Sequence, residues 1–152
     1  MATTVTASTL KIIVKEEITL NGKKHEYKQE QSIANVNMIS QRIVRVPAST
    51  EKILDFNSTT IGAGQYVAGD VKYIRITNLD DTNYVNIGIR KSGADVAYLK
   101  VEKGDSLLLH NTSLQTKTDG AGFSAFQTLT DIIAIAPDGA VDIEIFVASS
   151  QS

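Results

Sequence analysis

Val141, Ile143, Ile145 and Val147 stand at every second position, with Asp142 and Glu144 between them. In extended chain, successive side chains point to opposite sides. This spacing therefore puts a β-branched row on one face and carboxylates on the other, the mark of a half-buried strand. The rhythm recurs where Val85, Ile87 and Ile89 alternate with Asn86, Gly88 and Arg90, and where Ala97, Leu99 and Val101 alternate with Tyr98, Lys100 and Glu102. β-Branched side chains are stiff at χ1 and suit a pleated surface. No stretch carries a helical stripe. Residues 30–40 are compatible with a short helical turn, which Asn35, Asn37 and Ser40 disfavour.

Turn residues separate these runs. Asn21-Gly22 marks a hairpin between Ile18-Thr19-Leu20 and the segment from Lys23 to Gln31. Lys91-Ser92-Gly93-Ala94-Asp95, Glu102-Lys103-Gly104-Asp105 and Pro137-Asp138-Gly139 punctuate the rest. Strands are predicted near 9–20, 24–31, 36–46, 51–56, 71–78, 84–90, 96–102, 106–110, 128–136 and 141–148, with 71–109 as a meander. Long Gly/Ser/Thr-rich loops are predicted at 57–70 and 111–127. Short strands at this spacing predict an all-β fold, an antiparallel β-sandwich of jelly-roll-like form. Its N-terminal β-hairpin or arm occupies 1–35 and its sandwich body 36–152, as one domain overall.

The N-terminal hairpin differs from the rest. Lys11, Lys15, Glu16, Glu17, Lys23, Lys24, Glu26, Lys28 and Glu30 crowd it with charge, and its apolar side reads as thin. Such a hairpin either guards the open edge of a sheet, the commoner case, or projects as an arm toward a neighbouring subunit.

A chain of 152 residues suits one domain with a core that needs no covalent staple. The absence of cysteine removes disulfides, thiolate metal sites and cysteine nucleophiles, and is in keeping with folding in a reducing cytoplasm. A net charge of −2 argues against nucleic acid as a specific partner. Residues 1–47 carry seven bases and four acids, whereas from Asp105 onward there are six acids against Lys117. Ordinary scatter or complementary subunit surfaces account for that. Met1 to Thr9 has no secretory pattern, and no apolar run is long enough to span a membrane.

Chemistry finds little purchase. His25 and His110 are the only histidines, and no Gly-x-Ser-x-Gly elbow accompanies them. The oxygen-rich Asn78-Leu79-Asp80-Asp81-Thr82-Asn83 lacks calcium-loop spacing and reads as a turn that bonds its own backbone. Gly104-Asp105-Ser106-Leu107-Leu108-Leu109 is similar to the start of a strand in cupin-type jelly rolls, but the metal ligands of those enzymes are missing. Gly62-Ala63-Gly64 and Gly120-Ala121-Gly122 are not phosphate loops. No catalytic, cofactor or metal residue is expected. Tyr66, Tyr73, Tyr84 and Tyr98 are candidates for a sugar-stacking face. Lys72-Tyr73-Ile74-Arg75 is the one local pattern of the kind that stacks nucleic-acid bases.

Val71-Lys72-Tyr73-Ile74-Arg75-Ile76-Thr77-Asn78-Leu79-Asp80 runs into Asn83-Tyr84-Val85-Asn86-Ile87-Gly88-Ile89. That succession, with Leu99-x-Val101-x-x-Gly104-Asp105-x-Leu107-Leu108-Leu109 and the ending from Ile132 to Ala148, resembles the sheet segments of small virion proteins of tailed bacteriophages. The resemblance covers about 71–148 and lies in strand rhythm. It implies a structural virion protein made in the host cytoplasm, most often a head decoration (cement) protein. Its partners would be copies of itself, with a trimer favoured, and the major capsid protein or other virion proteins. A tail, receptor-binding or glycan-binding module is the alternative. Neither calls for a cofactor.

Overall fold

The structure, a computed structural model, describes residues 5–67, 69–91, 96–110 and 129–150, with 57–61 by backbone alone. The strands are β1 (Ser8–Leu20), β2 (Lys23–Val36), β3 (Met38–Val46), β4 (Glu51–Asp55), β5 (Asn57–Gly62), β6 (Gln65–Val67), β7 (Val71–Asn78), β8 (Val85–Arg90), β9 (Val96–Val101), β10 (Ser106–His110), β11 (Asp131–Ile135) and β12 (Val141–Ser149). They form a four-stranded sheet in the order β10-β7-β12-β3, a six-stranded sheet in the order β5-β6-β4-β11-β8-β9, and the separate hairpin β1-β2. Pairing is antiparallel except for a single parallel step between β4 and β6.

The two larger sheets make a sandwich. Ile74 and Ile76 of β7 and Ile143, Ile145 and Val147 of β12 face Leu54 of β4, Val85 and Ile87 of β8, and Ile132 and Ala134 of β11 in one buried cluster. Each set falls on alternate positions of its strand, so the rows on β7, β8, β11 and β12 line the two inner faces; on β9 only Val101 is buried, and Ala97 and Leu99 of the row predicted there are exposed. The apolar row of β12 is wholly inward, while its other side meets water or the hairpin.

Several expected boundaries move. Residues 57–70 contain β5 and β6 in place of a long loop, because Asp55 N donates to Gly64 O and seats the segment at the sheet margin. Residues 71–109 are not a meander. β7 pairs with β10, and β8 pairs with β9 in the other sheet. The segment 78–84 carries the chain across the sandwich, and 102–105 brings it back. The helical turn weighed for 30–40 is strand. Asn35 sits at φ 61 as the extra residue of a bulge, a conformation asparagine tolerates better than branched residues do. Pro137-Asp138-Gly139 links the last two strands and takes the chain from one sheet to the other. The 111–127 loop, residue 128 of the strand predicted at 128–136, the 92–95 part of one turn and the 120–122 glycines lie outside the described residues.

Asn78 organises the crossing. It is fully buried, and its Nδ2 donates to Asn83 O (3.0 Å) and Val101 O (3.2 Å) while its Oδ1 accepts from Asp80 N (2.9 Å). Asp80 Oδ1 then accepts from the amides of Thr82 (2.8 Å) and Asn83 (2.6 Å), and these bonds hold its carboxyl below the ordinary carboxylate range. The oxygen-rich segment is thus the self-bonded turn the sequence predicts.

Candidate functional site, the projecting hairpin

The hairpin β1-β2 closes through Asn21 (φ 51) and Gly22 (φ 76), a turn with two positive φ values that matches strand twist. Only its root touches the body. Leu10, Ile12 and Val14 of β1 and Ile33 and Val36 of β2 pack over Tyr73, Phe146 and Ala148 on the outer face of the four-stranded sheet. The rings of Tyr73 and Phe146 meet edge-on at 5.9 Å. Burial pushes the Tyr73 hydroxyl upward, against the pull of Arg75. His110 Nδ1 donates to Gln31 Oε1 across 2.8 Å, linking the end of β10 to β2.

From Lys15 to Glu30 every residue is exposed. The six positions from Val14 to Leu20 carry the ribbon roughly 20 Å past its seat. The edge-guard role, the commoner expectation, is therefore not what the structure adopts: the hairpin sits on a sheet face and then leaves it. The reason is its apolar root. Ile12 and Ile33 gain far more by covering Tyr73 and Ala148 than by lying along a solvated edge.

The two faces of the ribbon differ. On one, Lys11, Lys15, Lys24 and Lys28 pair with Glu17, Glu26 and Glu30 at 2.9–3.4 Å. Lys15 stands opposite Lys28 and Glu17 opposite Glu26, so each like pair is offset by opposite charges one rung away. Lys11 and Lys28 hold the Glu30 carboxyl below its usual value. Exposed pairs of this kind contribute little each. Lys24→Ala is expected to leave the melting temperature within about 2 °C of the parent, read by circular dichroism.

The other face continues the one seated on the body. Leu10, Ile12 and Val14 lead through Glu16 to Ile18 and Leu20, opposite Tyr27, His25 and Lys23. Ile18, Leu20 and Tyr27 are 59%, 60% and 55% exposed. On β1 this side is an apolar row broken only by Glu16, whereas on β2 it carries Lys23, His25, Gln29 and Gln31 beside Tyr27. The signal of the β1 row was the alternation Leu10-x-Ile12-x-Val14-x-x-x-Ile18-x-Leu20, masked by the density of charge around it.

Ile33→Ala should loosen the root and spare the sandwich. Truncating it costs about 2 kcal/mol. Amide exchange in β1 and β2 is expected to quicken roughly 30-fold, with β8 and β11 unchanged. Equal acceleration everywhere would show that root and sandwich open together.

The other residues singled out in the sequence are scattered. His25 lies on the arm opposite Ile18, and His110 lies under the root, so the structure does not bring them together. Among the described residues, no three of His, Cys, Asp and Glu are grouped to hold a metal ion. Tyr66 and Tyr73 are buried, Tyr84 is half-buried and Tyr98 is exposed, so the sugar-stacking face predicted from these four does not assemble. Arg75 shares a face of β7 with Tyr73. It is engaged by Glu144 at 2.7 Å and lies 5.8 Å from the Phe146 ring centroid.

The chain matches no protein-family model and no curated protein sequence. A solved structure described as "Bacillus endospore appendages form a novel family of disulfide-linked pili" is similar over 75% of this chain and 89% of its own. The identity is 13% and the TM-score 0.39. This chain contains no cysteine with which to make such a link.

Proposed function

We propose that this chain is a non-enzymatic structural protein of a multi-subunit assembly, acting through surfaces that pack against other subunits. Within that class, the strand rhythm of 71–148 favours a decoration or cement protein on a bacteriophage head, located in the virion and contacting itself and the major capsid protein. The single observation that carries the reading is the arm. A ribbon held out roughly 20 Å from its body, with one face neutralised by its own ion pairs and the other bearing Ile18, Leu20 and Tyr27, is poorly stable facing water. A specific interface buries about 1,600 Å² in total, and repeated small contacts add through avidity. A threefold arrangement suits a lattice with local threefold axes.

Light scattering and native mass spectrometry on the full chain test this, together with co-sedimentation on phage heads. An oligomer, or stable retention on heads, is expected. A monomer at every concentration that also ignores heads would sink the reading.

A further inference from the structure

The arm has an unfilled counterpart on the body. β3 is an edge strand of the four-stranded sheet, and its outward positions are Ile39, Gln41, Ile43 and Arg45. Ile39 and Ile43 are 64% and 65% exposed, on the sheet face that seats the hairpin root. Ile39 is in register with Ala148 and Tyr73, both covered by the root. The covered and uncovered patches are therefore neighbours on one surface. Beside them lies an open groove whose lining includes Val5, Leu10, Val36, Met38 and Ile39.

The molecule already displays what this apolar ribbon face packs against. At the root, Leu10, Ile12 and Val14 lie on the outer face of the four-stranded sheet. Further out, Ile18, Leu20 and Tyr27 carry the same face onward and are exposed. Ile39 and Ile43 continue the same sheet face and are exposed too. Within one chain the two do not meet, because the root has committed the ribbon to leave the body.

We propose that the arm of one copy lies across the outer face of the four-stranded sheet of a second copy, setting Ile18, Leu20 and Tyr27 over Ile39 and Ile43. This rests on the assembly reading above and names its partner and its surface. The charged face of the ribbon, already satisfied by its own lysines and glutamates, stays toward water. Donor and acceptor are different surfaces, so the contact is head-to-tail. It extends from copy to copy until a rotation closes it into a ring.

Two variants of the full chain test the arrangement. Ile18→Asp with Leu20→Asp blocks the arm, and Ile39→Asp with Ile43→Asp blocks the acceptor. All four sites are exposed, so folding is retained and is checked by circular dichroism. In sedimentation velocity the parent is expected to assemble. Each variant alone should need a concentration roughly tenfold or more higher to do so. An equimolar mixture of the two should form a one-to-one dimer and stop there, since the arm and the acceptor left over are the blocked ones. If the acceptor variant assembles like the parent, the docking surface is wrong while the assembly reading survives. If both variants are monomeric and do not complement each other, the two surfaces do not meet one another and the head-to-tail contact is overturned. A parent that is monomeric alone but held on phage heads leaves the arm to a foreign subunit, which overturns this inference and keeps the broader reading.

Discussion

Asn78→Ala is expected to melt about 10 °C below the parent chain. The substitution removes the donor to Asn83 O and Val101 O and the acceptor for Asp80 N at a site with no access to water. Orphaned buried polar groups cost ~1–3 kcal/mol each, and partial relaxation brings the total to about 3 kcal/mol. In a domain of this size each kcal/mol is worth roughly 2–4 °C. The loss is large because Asn78 joins three parts of the chain. Its backbone amide donates to Asp105 O, its carbonyl accepts from Gly104 N, and its neighbour Leu79 donates to Asp142 O. Asn78→Asp should do no better, since a carboxylate would face two carbonyl oxygens in the interior. Urea and thermal unfolding measure both. A change within ~0.5 kcal/mol would remove Asn78 from its place at the crossing.

Asp131→Asn is expected to cost about 2–3 kcal/mol near neutral pH and progressively less in acid. Asp131 is buried on β11, where Arg90 donates to both its oxygens at 2.8 and 2.6 Å and Lys52 approaches to 3.5 Å. The Arg90 hydrogen bonds hold its carboxyl below the ordinary value against the opposing effect of burial, with the charges of Arg90 and Lys52 adding to them. A carboxyl whose value is depressed in the folded state binds its proton more readily in the unfolded chain. Its stabilisation is complete above the unfolded value of about 4 and is lost as pH falls through the lower folded value. Asparagine does not titrate, so the variant should show a shallower loss of stability below about pH 4. Parallel acid titrations of parent and variant by circular dichroism decide it. Curves that stay equally spaced through the acid range would assign the difference to packing instead of the ion pair.

These two sites sit differently with respect to sequence. The turn at 78–83 was legible because asparagine and aspartate bond backbone close by in the chain, a local event. That Asn78 also holds Val101 was not, because the partner is brought there by the crossing. The Arg90–Asp131 pair joins residues 41 apart and had no local mark. The arm lies between these cases. Its turn, its strands and its charge were plain in Asn21-Gly22 and the lysine–glutamate pattern, while its apolar face was underestimated because charge at alternate positions dominates any average.

By itself the sequence determined most of the strands and of the inner faces, β5 and β6 and the exposed row of β9 excepted, since period-two rows of Ile and Val specify which side of a strand leaves water. It likewise determined the hairpin turns whose φ values only a few residues adopt. The tertiary structure alone decided which sheet each strand joins, how the chain crosses at Asn78, and that the hairpin seats its root on a sheet face and projects beyond it. Those outcomes depend on contacts between residues far apart in the chain. An alternation that specifies a buried side does not specify what buries it, and for Ile18, Leu20 and Tyr27 nothing among the described residues does.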